Sequence, residues 1–493
     1  MSPEKQASQE VEVIDNLVTM FGEEVEEKDA LVEFVKQVGK EHAITKLSSA
    51  VLDQYIAQLD VVLSSQMDEI IHNKEFQELE SSWRGLQYLV ENTQFSKPVK
   101  IEILDVSKEE LFDDLEDAKS GDGYEKESGL WHHIYWGAYD KVGGHPYTAI
   151  VSDYQFDSSQ QDINLCKHLA ILGEMAQLPF IGNVSPQFFG TDNFEEVMND
   201  RNLEMKIREG AKYAAWRAFR ELDNSKYIGL ALPRFLGRLP YGKESDPTKN
   251  FNYNEGVVRK VKVGEKGEEK LKDHSLWVSA SFAMAANMVR SFENSGWSIK
   301  IVGVDTGGRV ANLPVPIIQE HGQAEAKVPV EASVGQNKDQ ELSDMGFMAL
   351  AHWDRTDYAC FFQANSVKRA RDLKDPVEKA NELVSIGMQY NLLVTRIAHF
   401  LKYRQLRYVG KNAGKAEIQA SLEEWLSTLV SDQPNPQDDI VAKKPLRSYS
   451  LEVHELEDRP GFFQIVAEFR PHIAITGFDI RLKLVAYHSG GEA

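Results

Sequence analysis

The most restrictive segment of this chain is residues 227–242, Tyr227-Ile-Gly-Leu-Ala-Leu-Pro-Arg-Phe-Leu-Gly-Arg-Leu-Pro-Tyr-Gly242. Its first six residues read as a short buried strand. Pro233 and Pro240 then forbid a regular helix or a central strand, because proline has a fixed φ and no amide hydrogen to donate. A buried strand therefore runs into a rigid loop carrying Arg234 and Arg238. Just upstream, Tyr213, Trp216, Phe219 and Leu222 recur at helical spacing with Arg217 and Arg220 between them, so a helix precedes the strand.

The same alternation extends through the middle of the chain. Strands are predicted at 99–104, 147–151, 180–183, 299–304 and 357–362, and helices at 163–175, 204–222 and 276–292. This is a mixed α/β or α+β body. Residues 240–273, rich in Gly, Lys, Asp and Asn, read as a surface loop or insertion. Ahead of the body, residues 45–72 place Val51, Leu52, Tyr55, Ile56, Leu59, Val62, Leu63, Met67, Ile70 and Ile71 at helical spacing. That is a helix of about 40 Å, and its apolar stripe needs cover from the chain or from a partner. Two shorter amphipathic segments precede it, 9–21 (Val13, Ile14, Leu17, Val18, Phe21) and 30–38 (Leu31, Phe34, Val35, Val38).

Beyond Asp375-Pro376 come helices to about residue 408 and over 416–430, then a polar linker at 431–444 with two prolines. Strand periodicity follows. Tyr449, Leu451 and Val453 share a face, 463–469 is a second strand after a Pro460-Gly461 turn, and Phe478, Ile480, Leu482 and Leu484 alternate against Asp479, Arg481 and Lys483. Three regions result: a helical arm (1–60), a central α/β domain (61–370), and a C-terminal domain of helices followed by strands (371–493).

Composition excludes several classes of function. With 493 residues, 42% hydrophobic and 27% charged, the chain reads as globular and multi-domain. A formal charge of −22 disfavours nucleic acid and anionic membrane. No apolar run approaches the ~18 residues of a membrane span, and the first ten residues lack a signal-peptide core. The expected location is the cytoplasm. Cys166 and Cys360, both beside apolar or aromatic residues, read as buried thiols. The acidic runs at 23–29 and 105–127 lack the spacing of a calcium loop. His132-His133 lacks a third metal ligand, and neither a phosphate loop nor a Gly-x-Ser-x-Gly elbow occurs. No cofactor or metal is expected.

Two features resist dismissal. Ile301-Val-Gly-Val-Asp305-Thr-Gly307 matches the turn of an aspartic protease, but only one copy is present and Gly308-Arg309 follows it. The alternative is that Asp305 starts a turn leaving a strand. Between residues 383 and 416 lie Arg396, Lys402, Arg404, Arg407, Lys411 and Lys415 with no acid, which implies an anionic neighbour: a protein partner, another part of this chain or, with Tyr403 and Tyr408 interleaved but no RNA or DNA fold signature, a nucleic acid.

The segments 213–222 and 227–242 together resemble the large subunit of the type VI secretion contractile sheath, the TssC/VipB family. Further words follow in that family's order: Trp83-Arg-Gly-Leu86, His145-Pro-Tyr147, 176–189, Gly296-Trp297 through Gly307-Gly308, 341–347, Thr356-Asp-Tyr358, 396–402, Pro460-Gly-Phe462 through His472, and 480–485. The resemblance covers roughly residues 45–487, and departs from the family pattern at 316–326 and in the first ~40 residues.

What it implies is a multi-domain tail-sheath fold with a C-terminal β-ribbon exchanged between chains, and no enzymatic activity. The implied partners are a small sheath subunit, neighbouring copies in helical rings, an inner tube protein, a baseplate, and an ATPase that disassembles the contracted form. On this reading Leu59 and Leu63 meet the small subunit, Arg404 and Arg407 face acidic side chains near the tube or another subunit, and Phe478, Ile480, Leu482 and Leu484 pair with another chain. The rival readings are an aspartic-type protease using Asp305 and a monomeric acidic binding scaffold.

Overall fold

The apolar run after Tyr227 forms β3 (Ile228–Leu232), buried along its whole length. It lies inside a six-stranded sheet with β1 (Ile150–Phe156), β2 (Phe180–Val184), β8 (Arg309–Val310), β11 (Met348–His352) and β12 (Ala359–Phe361), in the order β1-β2-β3-β11-β12-β8. The first four strands are parallel, and β12 pairs antiparallel with both β11 and β8. Parallel strands need crossovers and cover on both faces. Successive residues accordingly go to opposite cores: Phe180, Leu230 and Phe347 to one cluster, Ile181, Ala231 and Met348 to the other. The first core is closed by α3 (Lys108–Ser120), α4 (Gln160–Ala176) and α6 (Ala214–Arg220). Trp216 of α6 stacks on Phe347 at 5.7 Å and meets Phe188 edge-on at 5.1 Å. The second core is closed by α7 (Ala280–Ser295).

The computed structural model describes residues 49–487, except the stretches 264–267, 321–322, 353–355, 407–413, 434–435, 456–462 and 473–481 and positions 140, 142, 244, 250, 316, 327, 357 and 432. The readings at 9–21, 30–38, Arg407, Lys411, Pro460-Gly461, Phe478 and Ile480 lie outside the described residues.

The chain divides into two compact units. The larger comprises residues 74–239 and those from 275 onward. In it α2 (Lys74–Glu91) approaches α7 so closely that a Cβ on Gly85 would overlap the Phe282 ring. Its C-terminal part packs α10 (Met388–Leu406) and α11 (Lys415–Ser427) on an antiparallel sheet, β13 (Leu446–Glu455), β14 (Phe463–Pro471) and β15 (Leu482–Tyr487). Leu451, Val453, Ile465, Ala467 and Phe469 point inward, as period two requires, into one core with Leu393, Ile397 and Leu401 of α10 and Leu422 and Leu426 of α11.

The smaller unit contains α1 (Ser49–Ile71) and residues 240–274. The Tyr253 hydroxyl donates to Asp68 at 2.7 Å, the Tyr241 amide donates to Glu255 at 2.9 Å, and His72 meets Glu255 at 3.1 Å while stacking on His274 at 4.6 Å. These contacts pair most of the polar groups, although the His72 Nδ1 has no hydrogen-bond partner among the described residues.

Several elements differ from the sequence prediction. Residues 299–304 are not a strand. Gly303 and Gly307 have positive φ and fold the segment into turns, the Gly303 amide donating to the Phe361 carbonyl at 2.8 Å, so only β8 joins the sheet. Residues 99–104 have no ladder; Ile103 and Leu104 are exposed. The helix predicted over 204–222 breaks at Gly210 into α5 (Leu203–Glu209), a 3₁₀ turn and α6. The helix after Pro376 divides into α9 (Pro376–Ser385) and α10, because the Ser366 amide bonds the Ile386 carbonyl and the Met388 amide bonds the Ala364 carbonyl. The loop at 240–273 contains a hairpin, β5 (Val258–Val263) and β6 (Glu268–Asp273), and the linker at 431–444 contains a short helix, Asp438–Lys443. The segment 316–326 holds a further antiparallel pair, β9 (Ile317–Glu320) and β10 (Gln323–Ala326).

Candidate assembly surfaces

The arginine loop finds its carboxylate partners within the chain. After a cis Leu232-Pro233 peptide, Arg234 grips Glu331 with two parallel bonds of 2.8 and 2.7 Å. β4 (Phe235–Leu236) pairs with β7 (Trp277–Val278), and Arg238 donates to Glu80 of α2 at 2.8 Å. Arg220, also buried, donates to the Val367 and Asp344 carbonyls at 2.8 Å each, and burial pulls its pKa down to about 10. Sequence reasoning singled out this loop but not its carboxylate partners. The available signal was two arginines within a buried, proline-framed stretch, which demand counter-charges.

α1 is the opposite case. Leu59 and Leu63 are 45% and 44% exposed, and Ile56, Val62 and Ile70 are exposed beside them. Ile56, Leu59, Leu63 and Ile70 are spaced three, four and seven apart, so they share one face along about 20 Å of helix, while Val61, the most exposed of the large apolar residues described in α1, lies off that face. Scattered exposed apolar side chains are ordinary, but a continuous stripe of large ones marks a contact surface.

The basic stretch of α10 is engaged in contacts within the chain. The Lys402 ammonium lies over the rings of Tyr135 and Tyr139 at 3.9 and 4.8 Å and donates to the Tyr135 hydroxyl. Tyr135 belongs to a π-helical turn, His132–Trp136, so the turn that unwinds the helix also presents the ring. Arg396 lies over Phe400 at 4.9 Å, and burial draws its pKa down. Arg404, half-buried, donates to the Ser421 carbonyl at 3.3 Å and faces Trp425 at 5.8 Å. Phe400 and Tyr403 remain exposed on α10. Aromatic faces and carbonyls serve as the negative partners in these contacts.

In the terminal sheet, Leu482 stands opposite Phe469 and Leu484 opposite Ala467. β15 therefore continues the alternation of β14 and occupies the end of the sheet opposite β13.

Asp305 is exposed on a turn, where the Thr306 hydroxyl donates to the Val302 carbonyl at 2.5 Å and the Asn287 amide holds the Gly308 carbonyl at 3.0 Å. A protease aspartate shares a proton with a second carboxylate in a secluded site; the Asp-Thr-Gly here builds a turn. Among the described residues no group of three or more His, Cys, Asp or Glu is placed to hold a metal ion, and no helix is long and apolar enough to cross a membrane.

One buried acid gives a pH prediction. Asp339 of α8 (Gln336–Asp344) is 3% exposed, its Oδ1 has no hydrogen-bond partner among the described residues, and burial raises its pKa to about 6. Because the folded value exceeds the unfolded one, its contribution is fully present below about pH 4 and is lost as pH rises through about 6. Asp339→Asn should be more stable than the parent at pH 8, by about 3 kcal/mol, with the difference vanishing at pH 4. Thermal melts across that range check it.

Two family models match. One, described as EvpB/VC_A0108, tail sheath N-terminal domain, covers residues 53–368; the other, EvpB/VC_A0108, tail sheath gpW/gp25-like domain, covers 377–487. A curated relative, the type VI secretion system sheath protein TssC1 of Pseudomonas aeruginosa, is 34% identical over 478 residues, spanning 95% of this chain and 93% of that protein. Among solved structures, an anti-feeding prophage baseplate chain aligns at TM-score 0.35 and 11% identity, covering 80% of this chain and 81% of that one. The sheath tail protein Lin1278 of Listeria innocua aligns at 0.28 and 10%, covering 66% and 60%.

Proposed function

The chain belongs to the VipB (TssC) family of tail sheath proteins, and from that premise we propose that it is a structural subunit of a type VI secretion contractile sheath. It pairs with a small sheath subunit, polymerises with copies of itself in a helix around an inner tube, and contracts to drive tube and spike out of the cell. The observation that carries this reading is the 34% identity sustained over 95% of the chain. Contraction is mechanical: many identical interfaces each exchange one packing for a more stable one, and their geometric coupling makes the change cooperative. No catalysis enters. The exposed Asp305 and the internally satisfied arginine loop suit a load-bearing body, whereas α1 and the terminal sheet offer surfaces for assembly.

On this reading the seam through Leu59 and Leu63 seats the small subunit, and the α10 region through Arg404 and Arg407 lies at an inner or intersubunit surface. The ribbon from β13 through Leu484, including Phe478, Ile480 and Leu482, exchanges strands between protomers. The arm (1–60), body (61–370) and C-terminal domain (371–493) divide these tasks. Assembly proceeds in the cytoplasm on a baseplate, and an ATPase recycles the contracted form.

Coexpression with the small sheath subunit followed by negative-stain microscopy tests the proposal. Tubes tens of nanometres long are the expected result. A sharp monomer peak with the small subunit present would overturn it in favour of a monomeric scaffold.

A further inference from the structure

We infer that α1 carries a charge code that selects its occupant: an apolar helix flanked by lysine or arginine, in preference to this chain's own acidic helices. The inference rests on the reading that the small sheath subunit sits on this face.

The exposed residues Ile56, Leu59, Leu63 and Ile70 fall at the a and d positions of a heptad, the spacing of a seam between two helices. Helix-on-helix packing therefore suits the surface better than a strand or a flat face. In that register Asp53 and Asp60 occupy successive e positions and Glu69 a g position, the places that border the seam and choose the partner. Asp53 is exposed and Asp60 half-buried. α1 contains no Lys or Arg along its 23 residues, so both borders of the seam are acidic or neutral.

That asymmetry discriminates among occupants. A second copy of α1 packed antiparallel would set its own e-position Asp53 and Asp60 on the border that already carries them. Residues 9–21 offer a suitable apolar stripe but carry Glu10, Glu12 and Asp15 and no base. Residues 30–38, with Glu33 and Lys36, are too short to cover the run from Ile56 to Ile70 and add no net positive charge. Like charges beside a closing seam oppose each of these pairings, whereas lysine or arginine on a foreign helix converts the repulsion to attraction.

The full chain, coexpressed with the small sheath subunit, tests this through three forms: parent, Leu59→Asp, and Asp53→Lys with Asp60→Lys. Recovery of the small subunit is measured at 50 and 500 mM NaCl, with circular dichroism confirming the fold. The parent should lose recovery as salt rises. Leu59→Asp should lose the subunit at both concentrations. The double lysine variant should recover about five- to tenfold less at low salt, with salt no longer reducing its recovery. If Leu59→Asp abolishes binding while the double reversal binds like the parent, the charge code is wrong and the seat stands. Retention of the subunit by Leu59→Asp removes the seat itself, and the inference with it.

Discussion

Arg238→Met is expected to destabilise the larger unit by about 3 kcal/mol, the lower part of the range for breaking a buried ion pair. Arg238 is 7% exposed and bonds Glu80 of α2 at 2.8 Å. Methionine preserves much of the side-chain volume, so the loss comes from stranding the Glu80 carboxylate rather than from opening a cavity. Arg84, 3.5 Å from Glu80 on the same helix, relieves part of that cost, which places the value at the lower end. Pairing the change with Glu80→Met should restore most of the stability, because neither charge then remains buried alone. Chemical denaturation of the four members of this cycle measures the coupling. Equal losses in the single and double variants would mean that Arg238 acts through packing alone.

This pair also shows why the arginine loop was legible as a feature but not as a contact. Pro233, Pro240 and the apolar run before them dictate a buried strand and a stiff loop from local chemistry alone. Glu80 and Glu331 are distant in sequence, and nothing local in either segment names its partner. The same division holds elsewhere. β3 follows from its continuous apolar run and α1 from its periodicity, and the cores on the two sheet faces follow from alternation at Phe180/Ile181 and Leu230/Ala231.

Residues 299–304 mislead because an apolar run carries strand propensity, whereas the backbone is set by Gly303 and Gly307, where a Cβ at Gly307 would collide with the Lys300 carbonyl oxygen. In α10 the excess of positive charge is plain in the sequence. That Lys402 rests on Tyr135 and Tyr139 is not, because an aromatic face carries no formal charge to count. At the candidate surfaces, the stripe through Leu59 and Leu63 is legible as apolar periodicity. Its exposure is not, since the same pattern describes a buried helix.

The largest effect is expected at β15, the strand that on the proposed reading is exchanged between protomers. Successive amides in a strand point to opposite sides, so Leu482 and Leu484 share one direction and Lys483 and Val485 the other. One of these pairs supplies donors to β14, and the other supplies them to the far edge of β15. Proline at both positions of a pair removes two donors at once, each contributing about 0.5–1.5 kcal/mol. Two variants, Leu482→Pro with Leu484→Pro and Lys483→Pro with Val485→Pro, therefore separate folding from assembly. The pair aimed at β14 should unravel the terminal sheet, detectable as increased amide exchange in β14. The outward pair should leave β13 and β14 protected, because proline is tolerated on an edge strand. It should nonetheless eliminate sheaths in the microscope, since every protomer loses the same backbone bonds and the losses multiply along the helix. Assembly of normal tubes by the variant that keeps its sheet intact would rule out strand exchange through β15, and would leave side-chain interfaces such as the α1 seam to carry the load between subunits.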